Sequence, residues 1–408
     1  MNPYTVREGD SLSRISSIHY GSADFAERIR TANPQASGGL TPGMVLTIPD
    51  VNEVPALSTP RGIAGGLNEV AVTVAGKRFR FWSTMQLSRA VDSVSTFSLT
   101  APFEPDNAAF RDVFLPLQFQ SVAISIGGAP VFEGVIVPVS PAVTAADRTI
   151  TVGGYSRAGV LQDCVVPAAS SLFEFDEMNL QNITRSVIEP FGLSVTFDTP
   201  AGATVKRIGI GAQTRVWAFL VSVAHQKNMI IGDDAAGMPV FRQSAAGTPV
   251  ADLEVGRSPL RSVSANLKPQ RYFSSVTAQA ESDFGLDGAH HTIENPHLRG
   301  VLRPLTFSAG DTEPGALEIA ARAKIGRMFA NAIGYTVDVA GWRDPAGNLW
   351  EPGASVRLFA PDAMVYANTE FQIRRATATR DAAEDTTTLD LVLPGAFSGE
   401  IPERLPWD

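Results

Sequence analysis

The sequence predicts a mainly β protein with α+β parts, in which two antiparallel β domains lie on either side of a mixed α/β region. Short stretches of alternating apolar residues indicate strands between residues 69 and 167, and similar stretches return between residues 335 and 394. A helical pattern from Ala316 to Ala332 precedes the second group. The two groups also share a weak internal repeat.

Length and composition indicate the class of protein. A chain of 408 residues is long enough for two to four domains, and 44% apolar with 18% charged residues is typical of a folded chain. The apolar runs fall well short of the roughly 20 residues that a membrane-spanning helix needs. Met1 to Tyr4 begins no secretory signal. We therefore expect no membrane segment and synthesis and assembly in a bacterial cytoplasm.

Charge and cysteine content argue against several kinds of site. A formal net charge of -9 disfavours a groove that grips nucleic acid, whereas an acidic channel would let DNA pass without specific binding. The single cysteine, Cys164, excludes an intramolecular disulfide and a multi-thiolate metal site.

Residues 1–50 predict a separate small domain with the order strand, helix, helix, strand. The stretch from Tyr4 to Leu12 reads as a strand, a turn and a helix start, with Asp10 or Ser11 as the N-cap. The second helix, from Ala23 to Ala32, is predicted to end at Asn33 because Pro34 cannot continue it. A strand closes the domain.

This order of elements resembles a LysM domain, as do the segments Gly9-Asp10-Ser11-Leu12, Asn33-Pro34 and Leu40 to Pro49. The resemblance implies binding of N-acetylglucosamine polymers such as peptidoglycan in a shallow groove. LysM-like domains of phage tails also dock other proteins, and both readings stay open. The residues expected to line the glycan-binding or docking groove are Gly9, Asp10, Ser11, Leu12, Asn33, Pro34 and Leu40.

Residues 51–68 are rich in proline and glycine and predict a linker, and residues 69–167 predict the first β domain. Gly127 and Gly128 suit the turn of a hairpin. The predicted strands are Val70 to Val74, Phe79 to Trp82, Phe97 to Leu99, Val122 to Ile126, Val131 to Val137 and Thr149 to Val152.

Residues 168–300 predict the mixed middle region. One helix, from about Leu180, ends before Pro190, and another runs from Val216 to Gln226. Two short strands, Met229 to Ile231 and Pro239 to Arg242, flank a turn and predict a hairpin. The remaining predicted strands are Leu193 to Phe197, Ser258 to Asn266 and Tyr272 to Gln279.

Residues 301–396 predict the second β domain, and residues 397–408 a C-terminal tail. The helix is bounded by an N-cap at Thr312, a first turn at Glu313 and Pro314, and a left-handed stop at Gly334. The strands that follow are Tyr335 to Val339, Ser355 to Phe359, Phe371 to Thr379 and Leu389 to Leu393.

The internal repeat rests on three matches. Ser121-Val122-Ala123-Ile124 aligns with Ser355-Val356-Arg357-Leu358, Phe132 and its strand align with Phe371, and the loop at 145–147 aligns with that at 382–385. Duplication and chance both explain such a match. Under duplication, three chains would supply six similar domains to a ring.

The stretch from Gly341 to Val356 resembles the C-terminal tube-type domain of Mu-type baseplate hub proteins, a family related to late control D proteins and type VI secretion hubs. The resemblance extends from about 69 to 396, and it implies two tube-like antiparallel β-barrels. Tryptophan, proline and glycine are scarce residues, so their shared offsets within one hairpin carry the match. The predicted structural hairpin residues are Trp342, Asp344, Pro345, Gly347, Trp350, Pro352 and Gly353.

The resemblance also implies a function. Hub proteins of this kind are structural virion proteins, located in the tail baseplate, that form homotrimers. Their partners are the tail tube or a tube-adaptor protein, the central spike protein and the baseplate wedge proteins. The alternatives are a LysM-targeted peptidoglycan hydrolase and a glycan-binding module.

The histidines give weak support for chemistry. His290, His291 and His297 have acidic residues nearby, but their spacing puts them on no single helix face, which favours a polar loop over a metal site. The acidic residues are Asp283, Asp287 and Glu294. We predict no metal and no cofactor.

The acidic residues and the remaining histidine give no better case for an enzyme. Glu174, Asp176 and Glu177 imitate a glycosidase acid pair, yet they lie close together at a predicted helix start. His225 is interpreted as a partly exposed helix end rather than a base. We predict no catalytic residue.

Overall fold

The computed structural model divides into two compact units and is mainly β, as predicted. The first unit comprises Met1–Leu87, Thr96–Ser156 and Arg380–Ala383, and the second comprises Ser88–Ser95, Arg157–Thr379 and Glu384–Asp408. The structure describes residues 2–7, 9–20, 26–49, 67–79, 82–103, 105–106, 108–144, 148–168, 173–243, 247–280, 288–309, 314–381 and 384–408.

The N-terminal part of the first unit has the predicted order of elements. Two strands pair antiparallel with Tyr4 opposite Leu46, and two helices lie between them in sequence. Ile15 and Ile29 from the helices and Leu46 from the second strand are fully buried together, which closes a small core. The elements are β1 (Asn2–Thr5), α1 (Leu12–Tyr20), α2 (Ala26–Ala32), a 3-10 turn (Pro34–Gly38) and β2 (Val45–Ile48).

The rest of the first unit is built on one antiparallel sheet. Its elements are β3 (Val70–Val74), β4 (Lys77–Phe79), β5 (Thr84–Ala90), β6 (Thr96–Pro102), α3 (Ala108–Val113), β7 (Ser121–Ile126), β8 (Ala129–Val143) and β9 (Arg148–Ser156).

The strands of this sheet follow the order β5-β6-β9-β8-β7-β3-β4. The predicted hairpin is confirmed, because Gly127 and Gly128 have φ angles of 61° and 81° at the turn between β7 and β8. Strand β5 and helix α3 were not predicted. These pairings do not show the closed barrel expected for residues 69–167, and closure stays a prediction.

The middle region belongs to the second unit. Helix α6 has the predicted bounds, α5 ends at Ile188 before Pro190, and the predicted hairpin forms between β13 and β14. The elements are α4 (Val160–Asp163), β10 (Glu174–Met178), α5 (Leu180–Ile188), β11 (Thr196–Phe197), β12 (Val205–Gly209), α6 (Val216–Gln226), β13 (Ile230–Asp233) and β14 (Pro239–Arg242).

The interpretation of Glu174, Asp176 and Glu177 as a helix start was wrong. Glu174 and Asp176 lie on strand β10, which pairs antiparallel with β12, and α5 begins only after Asn179. Asn179 is the true N-cap, because its side chain accepts a hydrogen bond from the Asn182 amide. The strand was missed because it is short and charged: Phe175 is its one buried residue, while Glu174 and Asp176 form ion pairs with Arg207 on β12.

The C-terminal half of the second unit combines two sheets with one long helix. Strands follow the order β16-β20-β23-β22, β21 pairs with β22 and β15, and a three-stranded sheet has the order β18-β17-β19. The elements are β15 (Asp252–Glu254), β16 (Leu260–Leu267), β17 (Ser275–Ala280), β18 (His290–Glu294), β19 (Pro304–Ala309), α7 (Pro314–Ala332), β20 (Ile333–Ala340), β21 (Ser355–Ala360), β22 (Val365–Arg380) and β23 (Asp385–Val392).

The long helix was predicted, but its end was not. Helix α7 runs directly into β20, and Gly334 pairs with Val392 inside that strand, so the predicted left-handed stop at Gly334 was wrong. Cross-strand hydrogen bonds on both sides of β20 outweigh the local preference of glycine for a helix end. The predicted cap at Thr312 and Glu313 lies outside the described residues.

The C-terminal segment crosses α7 at a contact between glycines. A Cβ atom built on Gly326 would lie 2.5 Å from the Gly395 carbonyl oxygen and 2.9 Å from the Gly399 Cα atom. Gly395 and Gly399 both have positive φ angles, of 85° and 77°. Phe397 between them is buried, so this part of the predicted tail belongs to the core. Only glycine permits such a close approach of two backbones.

We predict that Gly326→Ala destabilises the protein by about 1–3 kcal/mol, because the new methyl group overlaps backbone atoms that cannot rotate away. In an ordinary helix interior the same change stabilises by up to about 1 kcal/mol. Denaturant unfolding followed by circular dichroism measures the difference.

Gly315→Ala is the matched control, because Gly315 lies on the same helix and a Cβ atom there meets nothing within 4 Å. We expect this variant to be neutral or slightly stabilised. Equal stability changes in the two variants would contradict the glycine crossing.

Candidate functional site

The predicted groove begins at a turn that Asp10 holds together from inside. The Asp10 carboxylate accepts hydrogen bonds from the Tyr4 hydroxyl at 2.7 Å and from the Arg7 amide at 2.8 Å. Its side chain is only 6% exposed. Burial and the hydrogen bond to Asp10 raise the pKa of Tyr4. Asp10 therefore stabilises the turn, and it is not free to bind a ligand.

Ser11 and Gly9 shape the same turn. The Ser11 hydroxyl accepts a hydrogen bond from the Arg14 amide at 3.1 Å, which makes Ser11 the N-cap of α1. Gly9 has a φ angle of 82°, a conformation that favours glycine. Leu12 is half-buried against the small core. Of the first four predicted groove residues, only Gly9 and Ser11 are exposed.

Asn33 forms the second anchor of the N-terminal part. Its amide group donates to the carbonyl oxygens of Ile29 and Thr47, both at 2.7 Å, and its Oδ1 atom accepts from the Thr47 amide at 2.6 Å. The residue is fully buried. It thus joins α2 to β2. Pro34 is exposed and Leu40 is half-buried. Fewer of the predicted groove residues are therefore accessible to a ligand than the sequence indicated.

The predicted structural hairpin brings all seven of its residues together in the second unit. Trp342 and Trp350 are 1% and 3% exposed, and the Trp350 amide donates to the Trp342 carbonyl oxygen at 3.2 Å. Asp344 closes the turn, because its Oδ1 atom accepts from the Asn348 amide at 2.9 Å. Pro345 and Gly347 lie in the exposed turn, where Gly347 has a φ angle of 89°.

The hairpin is joined at both ends to strand β22. The Trp342 indole donates to the Thr379 carbonyl oxygen at 2.9 Å, and the Gly353 amide, next to half-buried Pro352, donates to Ile373 at 2.7 Å. Gly353 has a φ angle of 91°, so the chain can turn into β21. These residues therefore stabilise the hairpin and its attachment to β22.

The histidines are dispersed. His290 and His291 lie on β18, whereas His297 lies in the following loop and contacts the Pro402 carbonyl oxygen at 2.6 Å. Among the described residues, no three His, Cys, Asp or Glu side chains lie close enough together to hold a metal ion. Asp283 and Asp287 lie outside the described residues.

Sequence reasoning missed a charged cluster in the second unit, formed by half-buried Asp92 and His225 and buried Arg327. His225 lies 2.7 Å from the Asp92 carboxylate, and the Arg327 guanidinium lies 3.7 Å from the same oxygen. His225 is at the end of α6 and 30% exposed, which agrees with its predicted position. The position of Arg327 could have indicated the cluster, because it lies at helical spacing from Ala320 and Ala323 on a buried face, where a cation is unusual.

Comparisons with known proteins agree with the resemblance seen in the sequence. Residues 158–243 match the model of the family "Baseplate hub protein gp44-like, second domain". The chain is 25% identical over 327 residues to the baseplate hub protein gp44 of Escherichia phage Mu, a match that spans 76% of this chain and 83% of the relative.

Two solved structures share the fold. The 43 kDa tail protein of prophage MuSo2 from Shewanella oneidensis aligns with a TM-score of 0.68 at 21% identity, over 81% of this chain and 99% of that protein. The tail protein from Neisseria meningitidis MC58 aligns with a TM-score of 0.68 at 20% identity, over 82% and 98%.

These relatives are structural proteins of phage tails and baseplates, which confirms the prediction that the chain is not an enzyme. They also support the predicted kinship with Mu-type hub proteins and a place in the phage tail or baseplate. Among the described helices, none has the length and apolar character needed to cross a bilayer.

We predict that Asn33→Ala destabilises the N-terminal part by about 1–3 kcal/mol, because the Thr47 amide and the Ile29 carbonyl oxygen lose their partners on the buried Asn33 side chain. Hydrogen exchange of residues 45–48 in the full chain measures the effect, which should appear as faster exchange there and unchanged exchange in β20.

Thr41→Ala is the control, because Thr41 is exposed in the loop just before β2. If both variants exchange like the unchanged protein, Asn33 is not the anchor inferred here.

Proposed function

We propose that the chain is a homotrimeric baseplate hub that joins the tail tube to the central spike of a contractile phage tail or a related injection particle. The observation that carries the proposal is the match to gp44 of phage Mu over 83% of that protein, together with the family match at residues 158–243. The role is mechanical, so the proposal assigns it to packing and interfaces rather than to a reactive side chain.

The two sheet-built regions support a trimer that mimics six-fold symmetry. In the first unit β7 pairs with β8, and in the second unit β21 pairs with β22, so both halves of the proposed repeat are antiparallel pairs. Ile124 lies opposite Phe132, whereas Val356 lies opposite Phe371. The registers therefore differ by two residues, which leaves each side chain on the same face.

The proposed partners follow from this arrangement. A ring of six similar domains would contact the tail tube or a tube-adaptor protein, while the three-fold face would contact the central spike. Wedge proteins would contact the outside. The net charge of -9 suits a channel through which DNA passes without specific binding.

We predict that the purified chain has a mass of about three times 43.4 kDa in light scattering, or, after addition of the spike protein, the mass of three chains plus the bound spike. Trimers held by a hub interface should persist at 0.5 to 1 M salt if the contacts are mainly apolar. A mass of one chain both alone and with the spike would contradict the trimer.

For residues 1–50 we propose docking to another tail protein through a LysM-like surface. The reason is that Asp10 and Asn33, the polar side chains expected to contact a glycan, make their hydrogen bonds inside the domain. Peptidoglycan binding through backbone groups is the second candidate.

A photo-crosslinking residue at Gly38 tests this, because Gly38 lies in the groove loop and has open space for a side chain. We expect it to capture a tail protein in assembled particles. The same residue at Arg30, which is exposed on α2, should capture none.

Sedimentation of the full chain with purified cell walls tests the second candidate, glycan binding. If the chain sediments with purified peptidoglycan and Gly38→Trp abolishes this, residues 1–50 bind glycan and the docking proposal is wrong. The hydrolase alternative has little support, since the Glu174 and Asp176 carboxylates are ion-paired with Arg207.

A further inference from the structure

A tight turn between β5 and β6 lies in the second unit and is fixed there by Asp92. The Asp92 amide donates to the Ile231 carbonyl oxygen at 2.7 Å, and its Oδ1 atom accepts from the Ile231 amide at 3.2 Å. The Asp92 carbonyl oxygen accepts from the Trp217 indole at 3.3 Å. Asp92 has a φ angle of 60°, which is unusual for a residue other than glycine. The turn is held in a strained conformation by its partners.

A second contact lies three residues further along. The Ser95 amide and hydroxyl donate to the two carboxylate oxygens of Asp233 at 2.7 and 2.5 Å. Both ends of the turn therefore bind β13, once through Ile231 and once through Asp233.

Two basic side chains lie beside the Asp92 carboxylate, and a third acts on His225. His225 of α6 contacts Asp92 Oδ2 at 2.7 Å, and Arg327 of α7 lies 3.7 Å from the same atom. Arg327 also donates to the Met229 carbonyl oxygen at 2.8 Å. Lys324 of α7 adds a further positive charge within electrostatic range of His225. One carboxylate thus already faces one permanent cation before His225 gains a proton.

We propose that Asp92 and His225 form an acid-sensitive latch, which holds the turn at residues 91–95 when His225 is neutral and releases it when His225 is protonated. In the closed state the half-buried His225 side chain contacts the carboxylate at 2.7 Å. Protonation of the imidazole would place a second positive charge beside Arg327. Opening of the turn would expose the imidazolium to water and separate the two charges.

The pKa directions agree with this geometry. Burial lowers the pKa of His225, and the positive charges of Arg327 and Lys324 lower it further, while Asp92 only partly opposes them. Burial alone would raise the pKa of Asp92, but His225 and Arg327 outweigh it and the pKa falls below its usual range. Burial also lowers the pKa of Arg327.

The sign of the effect follows from linkage. A histidine whose pKa is lower in the closed state binds its proton more readily when open, so the closed state loses stability as pH falls below about 6.5. Asp92 adds a second loss only in stronger acid, below about pH 4. If attraction to Asp92 had dominated, acid would instead tighten the latch.

Hydrogen exchange of residues 88–95 in the full chain, corrected for the intrinsic pH dependence of exchange, tests the proposal. Between pH 7 and pH 5 we expect protection to fall, by at most about tenfold per pH unit because one proton is linked. His225→Gln keeps an amide donor at the position of Nε2 but cannot be protonated, so its protection should not change over this range.

His290→Gln is the control for histidine replacement, because His290 is exposed on β18, far from the latch in sequence. It should respond to pH like the unchanged protein. Exchange in β20 reports whether each variant is folded. The latch is refuted if protection of residues 88–95 is constant or rises towards pH 5, or if His225→Gln keeps the full response.

Discussion

Burial of the segment from Ile325 to Ala330 in α7 is the constraint on which the second unit depends. Every residue from Ile325 to Ala330 is buried, so this part of the helix is covered on all sides rather than along one stripe. Ile325, Met328 and Phe329 pack into the large core with β20 to β23, while Ala330 packs with Phe397. Earlier in the helix, Leu317 and Ala321 cover the sheet of β17 and β19. One helix therefore organises three hydrophobic clusters.

This coverage explains the two unusual residues of α7. Gly326 is needed where the C-terminal segment crosses, because any side chain would overlap the Gly395 carbonyl. Arg327 cannot reach bulk water, so its guanidinium must find partners inside, and it finds the Met229 carbonyl and the Asp92 carboxylate. Removing one partner of such a buried pair costs more than the pair contributes.

Much of the second unit could be predicted from sequence because its signals are local. The bounds of α6 and the strands after α7 follow from periodicity, and the hairpin at Trp342 follows from turn residues. The predictions that failed concern residues whose structure is decided by contacts distant in sequence. The local sequence at Gly334 predicts a helix end, but Gly334 pairs with strands on both sides. The acidic strand β10 pairs with a strand that carries Arg207, which lies 33 residues after Glu174. The Asp92 cluster joins residues separated by more than 130 positions, which no local pattern records.

The candidate groove at residues 9–40 illustrates how a motif can describe a fold rather than a function. Asp10 and Asn33 look like ligand-binding polar residues in the sequence, yet each satisfies backbone groups that a small core cannot cover. A domain of about fifty residues buries little apolar surface, so it relies on such internal hydrogen bonds. A partner must therefore recognise its shape, its exposed backbone and the few outward side chains. Those features suit a protein surface as well as a polysaccharide, and the internal hydrogen bonds of both polar side chains support the proposal that residues 1–50 dock a protein.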